Sequence, residues 1–469
     1  MPFVAGVDSS TQSCKVEIRD LDSGQVIAVG RGAHPPTSPP CSEQDPNAWW
    51  AALVDAFGEV GSVAGQVAAI GVGGQQHGMV VLDADNRPLR PAKLWNDTES
   101  AAEAARLTEA VGAETWAARV GSVPVASFTI SKLAWLVQHE PDLVGRIAKV
   151  LLPHDYLNLR LTGVHATDRG DASGSGWFDA RTGECAAELL ELVGGRDDWA
   201  SLVPAVLGPT EVLGTVTGEA AAALGVPEGI PVGPGSGDNM AAALGLGLTT
   251  GDVALSLGTS GVVYAASPTP TADPSGAVAG FADATGGYLP LVCTLNATKV
   301  TDTVAGWLGM DHETFAAAAL DAPAGAHGVR LTPYFDGERT PNLPDATGTF
   351  EGLRNDTTSA DLARAAHEGV LRGLLFGREA LAVAGAAVDG RVHLIGGGAR
   401  SPAYRQILAD LIGASIRVPD ADETVATGGA VQAAAMLGRS FADTATAWGL
   451  GAGIDIGPSG RLLDHAPLA

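Results

Sequence analysis

The stretch IPVGPGSGDNMAAALGLG, residues 230–247, places a carboxylate between a strand pattern and a helix pattern. Ile230–Val232 is apolar and β-prone, and the glycines and proline of GPGSG interrupt it. Asp238 follows, and Met240–Leu244 is apolar and Ala-rich, which favours a helix. Because Asp is among the best N-caps, a capping role is one interpretation of Asp238. Glycines also admit another molecule close to the backbone, so Asp238 could instead be a general base or a metal ligand.

The composition indicates a folded chain of about three domains, or of two large ones. Of the 469 residues, 46% are hydrophobic and 17% are charged, which provides a sizeable core and is not typical of disorder. The net charge of −25 argues against a nucleic-acid partner, because nucleic-acid-binding surfaces are basic. A polyanionic ligand would therefore need a local site made of metal, helix N-termini and backbone N–H groups.

The cysteines and the hydropathy predict a cytoplasmic protein. Cys14, Cys41, Cys185 and Cys293 form no C-x-x-C pair, and they suit a reducing cytosol better than a disulfide framework or a zinc site. The N-terminal residues lack a basic region followed by a long apolar run, so we expect no secretory signal. No apolar run approaches the roughly 18 residues of a membrane span, so we expect no membrane partner.

Two similar hairpin patterns occur in the two halves of the chain. Phe3–Val7 leads into a turn rich in hydroxyl and amide groups that begins with Asp8, and a second strand pattern follows. Asp252–Tyr264 repeats this arrangement, with Thr259 and Ser260 in its turn. Each turn could offer backbone N–H groups and hydroxyls to phosphates. The repeat suggests two lobes of similar topology, although an ordinary polar turn explains either hairpin alone.

Hydrogen-bonding side chains follow two further strand patterns. Val67–Val72 runs into a glycine-flanked segment that contains Gln76 and His77. This placement at a strand end is where open α/β sheets bind ligands. Trp95 and Asn96 follow another short run, and a Trp face beside amides suits the apolar and polar faces of a sugar. For His77 taken alone, a structural role is the alternative.

A glycine triplet follows the strand pattern Val392–Ile395. It comprises Gly396, Gly397 and Gly398, and the helix pattern Tyr404–Ile412 comes after it. Glycines between a strand and a helix could admit a nucleotide. The spacing is neither that of a dinucleotide fold nor that of a P-loop.

These segments occur in an order that resembles the FGGY carbohydrate kinases, closest to the bacterial xylulokinases. Residues 127–139 fit the family signature S-x-T-x-x-K-L-x-W-L-x-Q-H, and Gly6-Val7-Asp8 with Thr11 is similar to the family's first phosphate hairpin. The resemblance runs from Val4 to about Leu437. Further similar blocks, in the family's order, are residues 74–78, 93–97, 151–156, 237–239, 257–261, 337–341 and 396–401.

Three residues depart from the family pattern. Ser10 stands where the family usually has Gly, and Gln76 stands where a well-known xylulokinase type has Met. Asn342 stands where His is common after the E-R-T-P stretch. None of the three removes a carboxylate that the chemistry needs.

The resemblance implies an α/β fold of two actin-like, ribonuclease H-like lobes with an interlobe active-site cleft. Residues 1–243 would be the N-terminal lobe, with the sugar site and the first phosphate hairpin, and residues 244–469 the C-terminal, nucleotide-binding lobe. The implied reaction is phosphorylation of D-xylulose to D-xylulose 5-phosphate with ATP and Mg²⁺. The partners would thus be a small sugar and ATP, and a homodimer is the candidate assembly, which the sequence leaves open.

The resemblance also implies roles for individual residues. Asp238 would accept the proton of the sugar hydroxyl, and Asp8 and Asp238 would be the metal ligands, with Asp8 binding directly or through water. The residues expected to contact the sugar are Gln76, His77, Trp95, Asn96, Asp238 and Asn239. The residues expected to contact the nucleotide are Thr11, Gln12, Ser13, Gly258, Thr259, Gly397, Gly398 and Ala399.

Two other functions compete with this interpretation. Another FGGY kinase is the first, but glycerol kinases carry an Arg-Glu pair where this chain has Gln76-His77, and ribulokinases are usually longer. The second is a non-catalytic actin-like nucleotide switch. Such a protein needs the hairpins and the adenosine glycines, but neither a sugar-facing Gln76-His77 nor a base at Asp238.

Overall fold

The computed structural model describes residues 2–420 and 423–460, which form two compact units. Within the described residues, the first unit comprises 2–248, 270–289 and 423–451, and the second comprises 249–269, 290–420 and 452–460. The chain therefore leaves the first unit and returns to it twice. The sequence suggested two lobes divided at one point, after residue 243. The compact units are not divided at a single point, because residues 270–289 and 423–451 also belong to the first unit.

The first unit is built on a seven-stranded mixed sheet. Three consecutive strands are antiparallel neighbours, and the first of them, Phe3–Ser9, is also parallel to Val67–Gly74. The order across the sheet is Val26–Ala33, Ser13–Asp20, Phe3–Ser9, Val67–Gly74, Pro231–Val232 and Gly214–Thr215, and Ser236–Gly237 also pairs with Val67–Gly74. The register places Asp8 opposite Lys15 on one side and opposite Gly73 on the other.

Helices cover both faces of this sheet, so its central strand is buried on both sides. Val7 packs into the same core as the helix Pro46–Val60, whereas Val4 packs against alanines of the helix Thr424–Met436. Gly6 lies under the second helix, where a Cβ atom would be 1.8 Å from the carbonyl oxygen of Ala426. The small residue therefore lets the helix backbone rest directly on the strand.

The remaining elements of the first unit surround this sheet. The helix Pro46–Val60 begins after the N-cap Asp45, whose side chain accepts a hydrogen bond from the Asn47 N–H. The other helices are Ala101–Val111, Ala113–Val120, Thr129–His139, Pro141–Val144, Pro153–Thr162, Arg169–Ala172, Ala187–Leu190, Gly218–Leu224, Asp238–Gly245 and Phe441–Trp448, with 3₁₀ turns at Gly61–Gln66, Glu191–Val193 and Trp199–Ser201. Short strands are Glu43–Gln44, Val80–Leu82, Ala92–Lys93, Lys149–Leu151, Ala166–Asp168, Phe178–Asp179, Glu184–Cys185 and Ala205–Leu207.

The second unit repeats the topology of the first, as the two hairpin patterns predicted. Three antiparallel strands are followed across the sheet by two strands that run parallel to the first of the three. The order is Leu291–Thr294, Gly261–Ala265, Val253–Leu257, Val392–Ile395, Ile416–Pro419 and Gly453–Ile456. The other elements are the helices Thr298–Leu308, His312–Asp321, Ser359–Val383 and Pro402–Ile412, the strands Arg330–Thr332 and Thr349–Glu351, and the 3₁₀ turns Ala326–Gly328 and Gly397–Arg400.

Two further observations concern the chain as a whole. All four cysteines are free thiols; Cys14 is buried, and Cys41 and Cys185 are exposed. Among the helices of residues 2–420 and 423–460, none combines the length and the apolar character that crossing a bilayer requires.

Candidate functional site

Asp238 is the first residue of the helix Asp238–Gly245, and the N-cap is Gly237, with extended backbone angles. The capping interpretation of Asp238 is therefore wrong. Its Oδ1 accepts hydrogen bonds from the backbone N–H of Asn239 at 2.8 Å and from the Asn239 side-chain amide at 2.9 Å. No hydrogen bond from the described residues reaches Oδ2, so this oxygen is left for a ligand.

The surroundings of Asp238 adjust its affinity for a proton. The carboxyl is partly exposed, but dense protein around it raises its pKa to about 7. The carboxylates of Asp8 and Asp171 raise the pKa of Asp238 further, and the two hydrogen bonds from Asn239 oppose them. A general base works best when its pKa lies near the working pH. Asp238 thus has the proton affinity that a base at neutral pH needs.

Asp8 lies near the end of the strand Phe3–Ser9 and is buried. The Ser10 hydroxyl donates a hydrogen bond to its Oδ1, and the Lys15 ammonium lies 3.8 Å from its Oδ2. Burial raises the pKa of Asp8, while Ser10 and Lys15 oppose the rise. The serine that departs from the family pattern therefore contacts the predicted metal ligand directly.

Asp8 and Asp238 are the two carboxylates that could hold a magnesium ion. Magnesium is usually held by one or two carboxylates together with waters and substrate phosphates. The charge of Asp8 raises the pKa of Asp238, so the two carboxylates repel each other in the structure. Lys15 offsets only part of this charge, since it also pairs with Glu423 at 2.7 Å. A divalent cation would relieve the repulsion.

Gln76 is joined to Asp238 through Asn239. The side-chain amide of Asn239 donates to Gln76 Oε1 at 2.6 Å as well as to Asp238 Oδ1. Gln76 is buried, and within the described part of the chain its Nε2 has no hydrogen-bond partner. A buried donor without a partner is costly, so a hydroxyl of a bound ligand would gain free energy here. The structure thus brings three of the predicted sugar residues together.

His77 is held in an unusual backbone conformation. Its φ angle is +62°, in the left-handed region that few residues other than glycine adopt. Its ring packs between Phe128 and Phe281, with ring centroids 5.4 and 5.1 Å away. The Thr129 hydroxyl donates to the His77 carbonyl at 3.1 Å. Strain of this kind persists only where the surroundings fix it, which is typical of functional sites.

Trp95 lies against the first phosphate hairpin. Its indole Nε1 donates to the Thr11 hydroxyl at 3.0 Å, and that hydroxyl donates to Gln75 Oε1 at 3.3 Å. The Trp95 side chain is exposed, whereas Asn96 is half-buried and its Oδ1 lacks a partner among the described residues. The structure therefore joins a predicted sugar residue to a predicted phosphate residue.

The turn of the first hairpin also contains Gln12 and Ser13. Gln12 is exposed, and its carbonyl accepts from the His34 N–H at 3.0 Å. Ser13 is half-buried at the start of the strand Ser13–Asp20. Neither side chain hydrogen-bonds to another of the described residues, so both are free for a ligand.

A cavity of about 620 Å³ in the second unit is lined by four of the eight predicted nucleotide residues. Ala399 is buried, and it is absent from the described residues that line the cavity. Gly397 is exposed, with open space where a Cβ atom would point. The lining residues are Gly258, Thr259, Thr298, Thr301, Asp302, His312, Glu313, Phe315, Ala316, His367, Gly397, Gly398, Arg400, Ser401, Pro402 and Tyr404.

Aromatic rings form one wall of this cavity. The His367 ring lies 5.1 Å from that of Phe315 and 4.6 Å from that of Tyr404. Burial lowers the pKa of His367 to about 4, so its imidazole is neutral at pH 7. The Tyr404 hydroxyl is satisfied by Thr301 at 2.9 Å. A neutral aromatic wall with polar groups around it suits a flat heterocycle that carries polar substituents.

Sequence reasoning missed two kinds of residue in these sites. In the first unit, it missed Asp171, whose Oδ1 lies 3.2 Å from the backbone nitrogen of His77. Charged residues inside otherwise buried segments could have signalled it. In the second unit, it missed the aromatic wall of Phe315, His367 and Tyr404. These three come from separate helices, so no local pattern connects them.

The fold and the two sites define the class of protein. A cavity with an aromatic wall, and a carboxyl of raised pKa beside two side-chain amides, are compatible with a kinase for a small polar substrate. The chain belongs to the FGGY family of carbohydrate kinases. Residues 3–245 match the N-terminal domain of that family, and residues 253–437 match its C-terminal domain.

Relatives and solved structures agree with this assignment. The chain is 48% identical over 454 residues to the xylulose kinase of Streptomyces rubiginosus, covering 96% of this chain and 92% of that protein. It is 37% identical to the xylulose kinase of Haemophilus influenzae, covering 91% and 89%. The structure of xylulose kinase from Bifidobacterium adolescentis is similar with a TM-score of 0.85 and 41% identity over 94% of each chain.

The structural neighbours extend across the family. Xylulose kinase from Rhodospirillum rubrum is similar with a TM-score of 0.90 and 32% identity, over 98% of this chain and 95% of that one. Glycerol kinase from Plasmodium falciparum has a TM-score of 0.85 at 19% identity, over 98% and 94%, and shows the fold alone. These neighbours have the actin-like ATPase architecture, so the predicted two-lobed actin-like α/β fold is confirmed.

Proposed function

We propose that this protein phosphorylates D-xylulose with ATP to give D-xylulose 5-phosphate. The observation that carries the chemistry is Asp238, a carboxyl with a pKa of about 7 and one oxygen free of protein hydrogen bonds. The identity of the sugar rests on the xylulose kinases that match nearly the whole chain, at up to 48% identity among those described above. The side-chain amides of Gln76 and Asn239, which are linked to Asp238 by hydrogen bonds, would suit a substrate with several hydroxyl groups.

Asp238 is the proton acceptor in the proposed reaction. Its free Oδ2 takes the proton of the sugar's 5-hydroxyl as that oxygen forms a bond to the γ-phosphorus of ATP. The bond between the γ-phosphorus and the bridging oxygen breaks, and ADP leaves with the bonding electrons. Because phosphoryl transfer asks the protein mainly for positioning and charge stabilisation, the remaining residues act as binding groups.

Asp8 and Asp238 would hold Mg²⁺, which would neutralise charge on the phosphate oxygens. Asp8 is preorganised for this by the Ser10 hydroxyl and by the nearby Lys15 ammonium. Thr11, Gln12 and Ser13 of the first unit would supply donors for phosphate groups, and so would Gly258 and Thr259 of the second unit.

The aromatic cavity of the second unit is the proposed adenosine site. The adenine ring would lie against the wall that Phe315 and Tyr404 contribute, and Gly397, which has open space where a Cβ atom would point, would leave room for the ribose and phosphates. Gly398 also lines the cavity, and a Cβ atom there would instead meet Leu257. Ala399 is buried behind these glycines, so its proposed part is to keep their backbone in place.

A substrate screen tests the proposed function. Initial rates with ATP are measured for D-xylulose, D-ribulose, L-ribulose, L-xylulose and glycerol, and kcat/KM is compared. We expect D-xylulose to have the highest value, because Gln76, His77 and Asn239 offer polar groups to a chain of several hydroxyls. A higher kcat/KM for glycerol would contradict the proposal.

The His77→Asn variant should lose affinity for the sugar selectively. Asn tolerates a positive φ angle, so the backbone at this position is kept. Loss of one polar contact to the sugar predicts a KM for D-xylulose that is about tenfold higher or more, with the KM for ATP nearly unchanged. Steady-state kinetics in both substrates measure the two values. Equal rises in the KM values of both substrates would indicate that His77 has a structural role.

The Asp8→Asn variant should alter the requirement for magnesium. An amide keeps the shape of the side chain but loses the negative charge that a divalent cation needs. We expect the Mg²⁺ concentration for half-maximal rate to rise about tenfold or more. Binding of D-xylulose without nucleotide, measured by calorimetry, serves as the control and should be unchanged. An unaltered magnesium dependence would remove Asp8 from the metal site.

A cytoplasmic location and a homodimer stay predictions. The four free thiols support a reducing compartment. Analytical ultracentrifugation would measure the oligomeric state directly.

A further inference from the structure

We propose that Asp171 is a positioning residue for His77, and that the buried His154 holds Asp171 in place. The proposal deepens the proposed function, on which it rests, because His77 is one of the proposed sugar contacts. Asp171 is fully buried, and its Oδ1 lies 3.2 Å from both the backbone nitrogen and the ring Nδ1 of His77. Its Oδ2 lies 3.3 Å from Nδ1 of His154. One carboxylate thus joins the two imidazoles.

His154 is surrounded by carboxylates. It is fully buried, and its Nε2 lies 3.0 Å from Asp155 Oδ1 and 3.4 Å from Asp168 Oδ1. Burial alone would lower the pKa of His154, but the three neighbouring carboxylates raise it well above its ordinary value. Burial would likewise raise the pKa of Asp171, but His154 and His77 lower it. The carboxylates therefore favour the protonated form of His154, and the two imidazoles favour the ionised form of Asp171.

The ring of His77 has no room to move away from Asp171. Phe128 and Phe281 pack on it, and Gly174 lies against its edge. A Cβ atom on Gly174 would be 1.9 Å from Cε1 and 2.2 Å from Nδ1 of the His77 ring. Glycine at this position is therefore what lets the ring reach the carboxylate.

In this proposal, the Asp171 carboxylate, 3.2 Å from Nδ1, favours the tautomer of His77 that carries its proton on Nδ1. The partner of one imidazole nitrogen sets the role of the other, and a carboxylate beside Nδ1 keeps the proton there. Nε2 is then the ring atom that remains for a sugar hydroxyl. Asp171 thus acts on the sugar through His77, and it does so without contact to the sugar.

Asp168 provides a matched control for Asp171. Both carboxylates are buried and both contact His154, but only Asp171 contacts His77. Asp168 instead caps the short helix Arg169–Ala172, accepting from the N–H groups of Gly170 and Asp171. A purely structural role for the cluster predicts similar consequences for both substitutions.

The test compares Asp171→Asn with Asp168→Asn in the full chain. In Asp171→Asn we expect the KM for D-xylulose to rise about tenfold or more, with the KM for ATP changed by less than about twofold. Asp168→Asn should lower the melting temperature but keep the KM for D-xylulose. Equal rises of the KM for D-xylulose in both variants, or no rise in Asp171→Asn, would overturn the proposal.

Two further measurements keep the proposal testable if Asp171→Asn folds poorly. Gly174→Ala should displace the His77 ring and give the same selective rise in the KM for D-xylulose, whereas Gly58→Ala, which meets no atom within 4 Å, should not. In [¹⁵N]histidine-labelled protein, NMR should find the His77 proton on Nδ1 in the wild type and a population on Nε2 in Asp171→Asn. A wild-type proton on Nε2 alone would overturn the proposal, even if the proposed sugar substrate proved wrong.

Discussion

The Asp238→Asn variant should lose at least about 10³-fold in kcat while its fold stays intact, because general base catalysis commonly contributes about 10²–10⁴-fold. The amide keeps the shape of the side chain and can still accept the hydrogen bonds from Asn239. It cannot accept the proton of the sugar hydroxyl. Asp238 is also proposed to hold Mg²⁺, so we expect the loss of kcat to lie in the upper part of this range.

The pKa of Asp238 adds a prediction about stability. Its value in the folded protein, about 7, lies above the ordinary 3.8, so the folded state binds this proton more tightly than the unfolded state does. Ionisation therefore costs the wild type stability as the pH rises from about 4 to 7, and the cost is fully present at pH 8. Because Asn does not ionise, the variant should melt at pH 8 at a temperature equal to or higher than the wild type.

Rapid-quench kinetics and thermal melts at pH 8 measure the two effects. Asp45→Asn is the matched control, since it exchanges a carboxylate for an amide at a helix N-cap. That variant should keep its kcat, because Asn caps about as well as Asp. If Asp238→Asn retained more than about a tenth of the wild-type kcat, the general base would be another group. A falling wild-type rate below pH 7, absent from the residual activity of the variant, would support Asp238 further.

The Gly6→Ala variant should show the largest loss of stability. Its added Cβ would lie 1.8 Å from the carbonyl oxygen of Ala426 and 2.5 Å from the nitrogen of Ala430. Both atoms belong to the backbone of the helix Thr424–Met436, so neither can rotate away. Overpacking in a core costs about 1–3 kcal/mol and occasionally more, and we expect about 3 kcal/mol or more here.

Urea denaturation measures the free energy of unfolding of the Gly6→Ala variant. Gly58→Ala is the control, because Gly58 lies inside the helix Pro46–Val60 and a Cβ there meets no atom within 4 Å. That substitution should stabilise the protein by up to about 1 kcal/mol, since Ala favours a helix more than Gly does. A free energy of unfolding for Gly6→Ala within about 1 kcal/mol of the wild type would mean that the helix can shift on its strand.

The sequence predicted most elements that carry a simple apolar pattern. The strand Val392–Ile395 has the predicted bounds, and the predicted strand from Phe3 continues to Ser9. The Ala-rich sequence from Thr427 onwards predicts a last helix, and in the structure this helix begins earlier, at Thr424. The glycines after Thr427 lie inside the helix, where the backbone of Ala241 passes close to them. A Cβ atom on Gly428 would be 1.9 Å from the carbonyl oxygen of Ala241, so only glycine fits there. Close packing, which the sequence does not display, decides their position.

In the candidate sites, too, the sequence predicted the residues that follow a local pattern and missed those that only tertiary packing brings together. Gln76 and His77 follow a clear strand pattern, so the sequence indicated them. Phe281 reaches His77 only because the chain returns to the first unit at residue 270. His154 and Asp171 reach the site through contacts between separate segments, which no local spacing encodes.

The return of the chain to its first unit has a consequence for protein synthesis. The helix Thr424–Met436 covers the face of the sheet that holds Val4 and Ala69, and it leaves the ribosome after the strands that form this sheet. Residues 2–248 emerge before this helix, and they present the apolar face to water until the chain has been translated beyond residue 423. Exposed apolar surface of this kind makes nascent chains prone to aggregation. The first unit therefore completes its core only after the helix Thr424–Met436 has been translated, and its uncovered sheet is a surface that a chaperone would have to shield until then.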